Sequence, residues 1–218
     1  MRAEEAIWIN GIIEAKDTAE LSPCINMGSG GSQPRFADQY IFAPLARKNV
    51  RVRHFDLKEG HGVDISGDIF DPACQEELKR IRPKLIICSN MLEHLPLEGL
   101  ERIPAVFWGI LAEDGILIVT VPNSFPYHID PIDTLYRPSP EDLANMFERF
   151  EILSVGLVSS DRYLDDLKKT GLKGVLKLLF RLVKPFRRRH KWLNAAHSLF
   201  WLFRPYRHSC VALRKRVS

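Results

Sequence analysis

The sequence predicts an α/β fold built on a mostly parallel β-sheet that helices cover on both faces. Two observations carry this prediction: apolar runs of strand length recur along the 218 residues, and helix-like segments lie between most of them. Buried strands rich in Val, Ile and Leu that alternate with helices are typical of parallel sheets. Ligands bind such sheets beyond the carboxyl ends of the strands, where this chain carries most of its unusual polar residues.

The predicted strands are apolar runs that end in acidic or small polar residues. The first runs from Cys24 into a glycine-rich stretch, and the other runs cover residues 50–57, 62–71, 84–95, 115–123, 150–158 and 208–216, with the strand of the 84–95 run ending at Ser89 and Asn90. The helices predicted between them are Pro72–Ile81, Pro96–Leu111 and Pro138–Phe150. All three open with proline, which suits the first turn of a helix. We expect residues 2–21 to form a further helix that covers the edge of the sheet.

The glycine-rich stretch CINMGSGGS, Cys24–Ser32, is the first indication of a nucleotide-type cofactor site. Glycine at Gly28 and Gly30 permits a positive φ and lets a ligand approach backbone amides directly. A plain tight turn after a strand looks the same, so this pattern is weak by itself. Two competing sites fit less well, because the dinucleotide fingerprint needs a third glycine where Gln33 stands, and no lysine follows as in a Walker-type phosphate loop.

Acidic and polar residues follow the next predicted strands in order. Asp56 ends the second strand, Asp68 lies within the third run near its end, and the segment SNMLEHL begins at Ser89, where the fourth strand ends. Each Asp can also be explained by the local hydrogen bonds that Asp makes in turns. The whole series on successive strand ends is harder to obtain by chance, and it favours a cofactor site.

From Cys24 to Phe150, and again at the final strand, the chain resembles the class I S-adenosylmethionine-dependent methyltransferases of the methyltransferase type 11-like group. INMGSGGS looks like the first motif of that family, with Asn26 in place of the usual acid and Ser32 in place of the last glycine. The resemblance implies a Rossmann-like three-layer sandwich with a seven-stranded, mostly parallel sheet. It also implies an antiparallel last strand, a helical insertion before that strand, and S-adenosyl-L-methionine as the cofactor.

The same resemblance assigns cofactor contacts to particular positions. Asp56 is expected to accept hydrogen bonds from the ribose hydroxyls, a strong charge-assisted arrangement. Asp68 and Ile69 are expected to lie at the adenine. The other expected cofactor-binding residues lie in the first motif and after the fourth strand: Asn26, Gly28, Ser29, Gly30, Ser89 and Asn90.

The segment NMLEHLP, Asn90–Pro96, borders both cofactor and substrate in the resembled family. His94 is the candidate catalytic residue, because imidazole titrates near neutrality and can remove a proton from a hydroxyl as it is methylated. Glu93 is a candidate substrate-binding residue. The alternative, that His94 only caps or packs against the following helix, stays open.

A long polar loop rich in proline, Pro122–Leu143, follows the fifth predicted strand. Long ordered loops at strand ends tend to be functional, and similar loops occur in methyltransferases linked to polysaccharide assembly. We expect this loop to orient a hydroxylated substrate through the following residues: His128, Asp130, Tyr136 and Arg137. No metal is expected, although His128, Asp130 and Asp133 can be imagined as ligands, because no cysteine or second histidine lies nearby.

Residues 161–207 form a strongly basic insertion, with 13 Lys and Arg against three Asp, whereas residues 1–160 hold 15 Lys and Arg against 24 Asp and Glu. Apolar and basic residues recur there as two stripes at helical spacing. The apolar stripe is Leu172, Val175, Leu176, Leu179, Leu182, Val183 and Phe186, and the basic stripe is Lys173, Lys177, Arg181 and Lys184. Such a helix typically lies in an anionic membrane interface. Packing of the apolar stripe on the domain is an equal alternative, and nucleic acid ranks lower because the remaining domain is acidic.

The sequence therefore predicts a single methyltransferase-like domain, residues 1–218, that carries the insertion 161–207. The predicted reaction is O-methylation of a hydroxylated, sugar- or lipid-linked acceptor. One alternative is a catalytically silent module that acts as a membrane or partner anchor through the insertion, and a lesser one is an RNA methyltransferase. We expect a cytoplasmic protein, peripheral to the inner face of the membrane, because Glu4 and Glu5 stand where a signal peptide needs positive charge. The oligomeric state stays open.

Overall fold

One β-sheet organises the chain. The computed structural model describes residues 1–28, 35–127, 133–183 and 199–216. Seven strands within these residues pair in the order β3-β2-β1-β4-β5-β7-β6. Their bounds are β1 Cys24–Met27, β2 Val52–Asp56, β3 Ile65–Ser66, β4 Leu85–Ser89, β5 Ile116–Ser124, β6 Glu151–Arg162 and β7 Pro205–Arg214.

The strand directions confirm the predicted fold class. Neighbouring strands are parallel except at β7, which is antiparallel to both β5 and β6. Met27 of β1 pairs with Phe55 of β2 and with Cys88 of β4, so these three strands end at nearly the same level. The strand order reverses between β1 and β4, and in such sheets the ligand crevice lies beyond the carboxyl ends at this point.

Helices connect the strands and cover both faces of the sheet. Their bounds are α1 Ala3–Glu14, α2 Thr18–Leu21, α3 Arg35–Ala37, α4 Ala43–Arg47, α5 Pro72–Arg80, α6 Leu97–Ile110, α7 Pro140–Met146 and α8 Tyr163–Val183. A π-helical turn, Asp38–Phe42, joins α3 to α4, and a short 3-10 turn, Leu92–His94, precedes α6.

Two apolar cores, one on each face of the sheet, give the predicted three layers. On one face Ile25 and Ile86 are buried with Phe107 of α6. On the other face Leu85 and Ile87 are buried with Ile9 of α1. Because side chains alternate along each strand, the buried runs seen in the sequence feed both cores, and this burial is the main source of stability.

The N-terminal segment, predicted as one helix over residues 2–21, forms two helices, α1 and α2. The first packs on a face of the sheet, and its fully buried residues Ala6, Ile9 and Ile13 belong to the same core as Ile118 of β5. Trp8 also reaches Gly156 of the edge strand β6. The segment therefore covers a face as well as the predicted edge.

The helix predicted over Pro138–Phe150 is shorter in the structure. It begins at Pro140 because Ser139 caps it, with the Ser139 Oγ accepting from the Asp142 N–H at 3.0 Å. It ends at Met146, after which Phe147 and Phe150 pack into the core below α6.

The insertion begins as α8, which is kinked at Gly171, where φ is +62°. A two-pronged ion pair between Arg2 and Asp166, with both contacts 2.7 Å, ties the start of α8 to the N-terminal segment. Leu167 and Leu178 are buried against Tyr163 and Leu202. Residues 184–198 lie outside the described residues, as do the side chains of Leu182 and Val183. Among the described helices, none is long and apolar enough to cross a bilayer.

Candidate active site

A cavity of about 500 Å³ opens where β1, β2 and β4 end. It lies at the reversal of strand order, which is where sheets of this kind bind ligands, and its size suits a small molecule or cofactor. Six residues predicted from the sequence line it: Gly28, Asp56, Asp68, Ile69, Asn90 and His94. The structure thus brings together residues that are up to 66 positions apart in the chain, from Gly28 to His94.

The first motif enters this cavity at Gly28. Its φ is +71°, a left-handed conformation that favours glycine, and its N–H donates to the carbonyl of Phe55 at 2.9 Å. A Cβ at this position would lie 3.5 Å from Met91, an ordinary contact, so the backbone angle rather than the space favours glycine. Ser29 and Gly30, also predicted to bind the cofactor, lie outside the described residues.

Asn26, predicted as a cofactor ligand, does not line the described cavity. Its amide lies 3.3 Å from Nδ1 of His54, the residue that it pairs with in β2. Ile25 and Met27 belong to the core on one face of the sheet, and Cys24 belongs to the core on the other. Asn26 shares the face of Cys24 because side chains alternate along a strand.

Two carboxylates form the polar wall of the cavity. Asp56 Oδ1 accepts from the N–H of Lys58 at 3.1 Å, and Asp68 Oδ1 accepts from the N–H of Phe70 at 2.9 Å. These are the local turn bonds that Asp makes two residues on. Asp56 and Asp68 can therefore both stabilise local turns and bind a ligand, because the turns hold their carboxylates at the cavity wall.

Apolar side chains complete the cavity beside these carboxylates. Ile69 is 6% exposed, and Phe70, Leu57, Met91 and Leu95 also line the wall. A flat apolar group such as an aromatic base can pack between these residues while a carboxylate accepts hydrogen bonds from hydroxyls. Apolar walls with a few polar groups are the usual composition of a cofactor site.

Asn90, another lining residue of the cavity, has a strained conformation with φ of +51°. Its N–H donates to the carbonyl of Thr120, and its side-chain amide donates to Oε1 of Glu5 at 2.8 Å. Strained residues held by their surroundings are common at functional sites. Ser89, the other residue predicted here, is not a lining residue, and its buried Oγ has no hydrogen-bond partner among the described residues.

A second cavity of about 340 Å³ adjoins the first and shares Asn90 with it. Its lining comes from the N-terminal segment and from the ends of β4, β5 and β7: Met1, Arg2, Asn90, Glu93, Pro122, Phe125 and His208. Only Glu93 and Asn90 among these were predicted as site residues. The first cavity and the second thus have one asparagine in common.

Glu93 is almost completely buried, with 1% exposure. Burial raises its pKa to about 8, and Glu5 and Asp133 add to that rise while Arg137 opposes it. Its Oε1 lies 3.8 Å from Nε2 of His94, and its Oε2 has no hydrogen-bond partner among the described residues. Near neutral pH this carboxyl is therefore mostly protonated and can donate a hydrogen bond.

Glu5 and His208 are buried ionisable residues of the second cavity region that the sequence analysis missed. Glu5 is 0% and His208 2% exposed, and Glu5 Oε2 lies 3.7 Å from His208 Nε2. Burial lowers the pKa of His208, which Glu5 opposes. One feature of the sequence could have indicated that Glu5 is buried: it lies four residues before Ile9, on the apolar face of its helix. His208 had none, since it simply begins an apolar strand.

The predicted substrate loop is only partly described. His128 and Asp130 lie outside the described residues. Tyr136 packs beside the core and donates its hydroxyl to Sδ of Met146 at 3.7 Å, and Arg137 forms a two-pronged ion pair with buried Asp133. Neither Tyr136 nor Arg137 lines the two cavities. Over the described ranges, no group of three or more potential metal ligands comes together.

Replacing Glu93 by Gln is expected to change how stability depends on pH. A carboxyl with a pKa near 4.5 when exposed and about 8 when folded favours folding fully below pH 4.5, and this contribution is lost as the pH rises through 8. The unfolding free energy of the wild type should therefore fall relative to that of Glu93→Gln between about pH 5 and pH 9, by on the order of a few kcal/mol. Urea unfolding measures the difference.

The exposed Glu98 of α6 supplies the matched control, since its side chain is 81% accessible. Glu98→Gln should shift the stability curve little and equally at each pH. A Glu93→Gln curve that also stays parallel to that of the wild type would contradict a buried, protonated carboxyl at this position.

Comparisons with known proteins agree with this fold. No family model matches the chain, and no curated protein matches its sequence. Among solved structures, the [4+2]-cyclase SpnF has a TM-score of 0.59 at 13% identity, with 97% of this chain and 81% of that chain covered. A SAM dependent methyltransferase from Archaeoglobus fulgidus has a TM-score of 0.53 at 14% identity, covering 96% and 94%.

A third similar structure is phosphoethanolamine N-methyltransferase 2 of Haemonchus contortus, solved in complex with S-adenosyl-L-methionine. Its TM-score is 0.53 at 11% identity, and the match covers 96% of this chain and 52% of that protein. At such identities the likeness concerns the fold. The strand order, the antiparallel β7 and these three structures together show that the chain has the class I methyltransferase fold.

Proposed function

We propose that this chain is an S-adenosylmethionine-dependent methyltransferase. The observation that carries the proposal is the first cavity, in which Gly28, Asp56, Ile69 and Asn90 meet at the reversal of strand order. The fold alone does not carry it, because one similar structure is described as a cyclase and folds host many activities. The proposal therefore rests on the residues that line the first cavity.

The cavity residues fit the parts of this cofactor. Asp56 offers a carboxylate to the two ribose hydroxyls, and charge-assisted hydrogen bonds of this kind are stronger than neutral ones. Ile69 and Phe70 offer apolar contact to adenine, with Asp68 at the same wall. When bound, the cofactor supplies an electrophilic methyl group, and the chain supplies the position from which an acceptor attacks it.

The second cavity is our proposed acceptor site. It adjoins the first at Asn90, and Phe125 and Pro122 give it an apolar wall beside the polar Glu93. A hydroxylated acceptor, sugar- or lipid-linked, would place its oxygen near Asn90 for in-line attack on the methyl carbon. Holding two reactants in line can contribute roughly 7 to 11 kcal/mol to catalysis.

We further propose that α8 holds the enzyme against an anionic, cytoplasmic membrane face. The supporting observation is that most of the predicted apolar stripe in the described part of α8 is exposed: Leu172 73%, Val175 39%, Leu176 55% and Leu179 50%. These residues recur at a spacing of three and four, so they share one helix face. Their exposure differs from that of the neighbouring Leu178, which is buried against other residues of the insertion, among them Leu167 and Leu202.

Charge favours lipid as the occupant of this face. Lys173 and Lys177 are exposed one turn apart beside the apolar stripe. The insertion as a whole carries 13 Lys and Arg against three Asp. Basic residues near an anionic surface contribute about 1 kcal/mol each, and each fully buried Leu contributes about 1.5 to 3 kcal/mol.

The cofactor proposal predicts micromolar binding of S-adenosylmethionine and S-adenosylhomocysteine to the wild type. Asp56→Ala should weaken both by more than tenfold, because a hydrogen bond to a charged group contributes about 1.5 to 3 kcal/mol. Isothermal titration measures the affinities. The control is Glu59→Ala, which removes an exposed acid of the same loop that does not line the cavity.

Two outcomes of that titration would contradict different parts of the proposal. Tight wild-type binding with equal affinity for Asp56→Ala would refute the ribose assignment. Absence of binding at millimolar ligand would refute the cofactor proposal and favour the silent module that acts through its insertion.

The membrane proposal predicts co-flotation with vesicles that contain phosphatidylserine, and weaker recovery with phosphatidylcholine alone. The triple variant Leu172→Ser, Leu176→Ser, Leu179→Ser should lose most of the recovery, because three exposed apolar contacts are removed. Leu97→Ser is the matched control, since Leu97 is 74% exposed on α6. Equal recovery of the triple variant and the wild type would contradict the membrane proposal.

A further inference from the structure

Three buried polar atoms of the second cavity region lack partners. Oδ1 of Asn90, Oε2 of Glu93 and Nδ1 of His208 make no hydrogen bond to any described residue, although all three residues line that cavity. A buried polar group without a partner costs about 1 to 3 kcal/mol. Three such groups on the walls of one cavity indicate that a polar ligand satisfies them.

The other ring nitrogen of His208 faces a fixed carboxylate. Glu5 Oε2 lies 3.7 Å from His208 Nε2 and accepts from the backbone N–H of Arg2 at 3.1 Å. Glu5 Oε1 accepts from Asn90 at 2.8 Å and from the hydroxyl of Thr120 at 2.5 Å. With both oxygens held, Glu5 favours the tautomer with hydrogen on Nε2, which leaves the Nδ1 lone pair available.

We propose that His208, oriented by Glu5, is the base that accepts the proton of the acceptor hydroxyl. The inference rests on the proposed methyltransferase function and deepens it by naming a catalytic residue and an O–H acceptor. Glu5 is its positioning residue. Nucleophile, base and orienting carboxylate form the arrangement that activates hydroxyls in many enzymes.

The O–H bond of the acceptor breaks, and its proton moves to Nδ1 of His208. The freed electron pair forms the O–C bond to the methyl carbon, while the C–S bond breaks and sulfur keeps its electron pair. The products are the methyl ether, S-adenosylhomocysteine and an imidazolium, which Glu5 stabilises until the proton leaves to solvent.

The surroundings keep the imidazole ready to accept a proton. Burial lowers its pKa, and Arg2 of the N-terminal segment, the terminal amino group and Arg137 of the loop lower it further, while Glu5 raises it. His208 is therefore neutral at neutral pH. His94, the base expected from the sequence, lines the first cavity instead and not the second.

Nitrogen NMR of the histidine rings tests this inference without an acceptor. In the full-length wild type with S-adenosylhomocysteine at pH 7, His208 is expected to be neutral with its hydrogen on Nε2. Glu5→Gln should reduce the preference for that tautomer. A charged His208, or a lone pair on Nε2 instead of Nδ1, would overturn the assignment.

Methylation of two probe phenols tests the chemistry. Phenol stays protonated at pH 8 because, like tyrosine, it ionises near about pH 10, whereas 4-nitrophenol is largely ionised there. His208→Asn should slow methylation of phenol by about 10² to 10⁴-fold, the usual contribution of a general base, and methylation of 4-nitrophenol by less than tenfold. Equal losses for both probes would contradict proton abstraction by His208.

Controls separate this inference from the proposed function. His61→Gln removes an exposed histidine that lines neither cavity and should leave both probe rates unchanged. His208→Asn should leave the affinity for S-adenosylhomocysteine unchanged. Absence of cofactor binding in the wild type refutes the function, whereas normal binding with the wrong His208 tautomer refutes only the base, and this holds even if neither phenol is methylated.

Discussion

One buried carboxylate, that of Glu5, joins the N-terminal helix to the ends of the central strands. It accepts from Asn90 after β4 and from Thr120 of β5, and it lies 3.7 Å from His208 of β7. A charge removed from water is tolerated only where hydrogen bonds compensate for the lost hydration. The position of Asn90, the wall between the cavities and the orientation of His208 all depend on this residue.

The division of the site into two cavities follows from that constraint. Asn90 has a positive φ and lines both cavities. Asp56 and Ile69 line the first cavity, and Glu93 and His208 line the second. A methyl donor in the first cavity and an acceptor in the second would thus meet near one residue, Asn90. Glu5, which accepts a hydrogen bond from Asn90, belongs to α1. A helix that packs on the sheet therefore also shapes the proposed site.

The sequence predicted what depends on local pattern. Continuous apolar runs predicted the sheet, and glycine and acidic residues at strand ends predicted Gly28, Asp56 and Asp68 in one cavity. It did not indicate on which face of the sheet Asn26 lies, because the face of a four-residue strand depends on its register with β2 and β4. Glu5 and His208 were missed for a related reason: they are 203 positions apart, and only the packing of α1 on β7 brings them together.

A crystal structure with S-adenosylhomocysteine tests the central claim, that the first cavity holds the cofactor and directs its sulfur to the second. We expect ribose hydroxyls within hydrogen-bond distance of Asp56, adenine against Ile69, and sulfur facing Asn90. A ligand bound elsewhere, or one whose sulfur points away from the cavity of Glu93 and His208, would contradict the division of the site that is proposed for this chain.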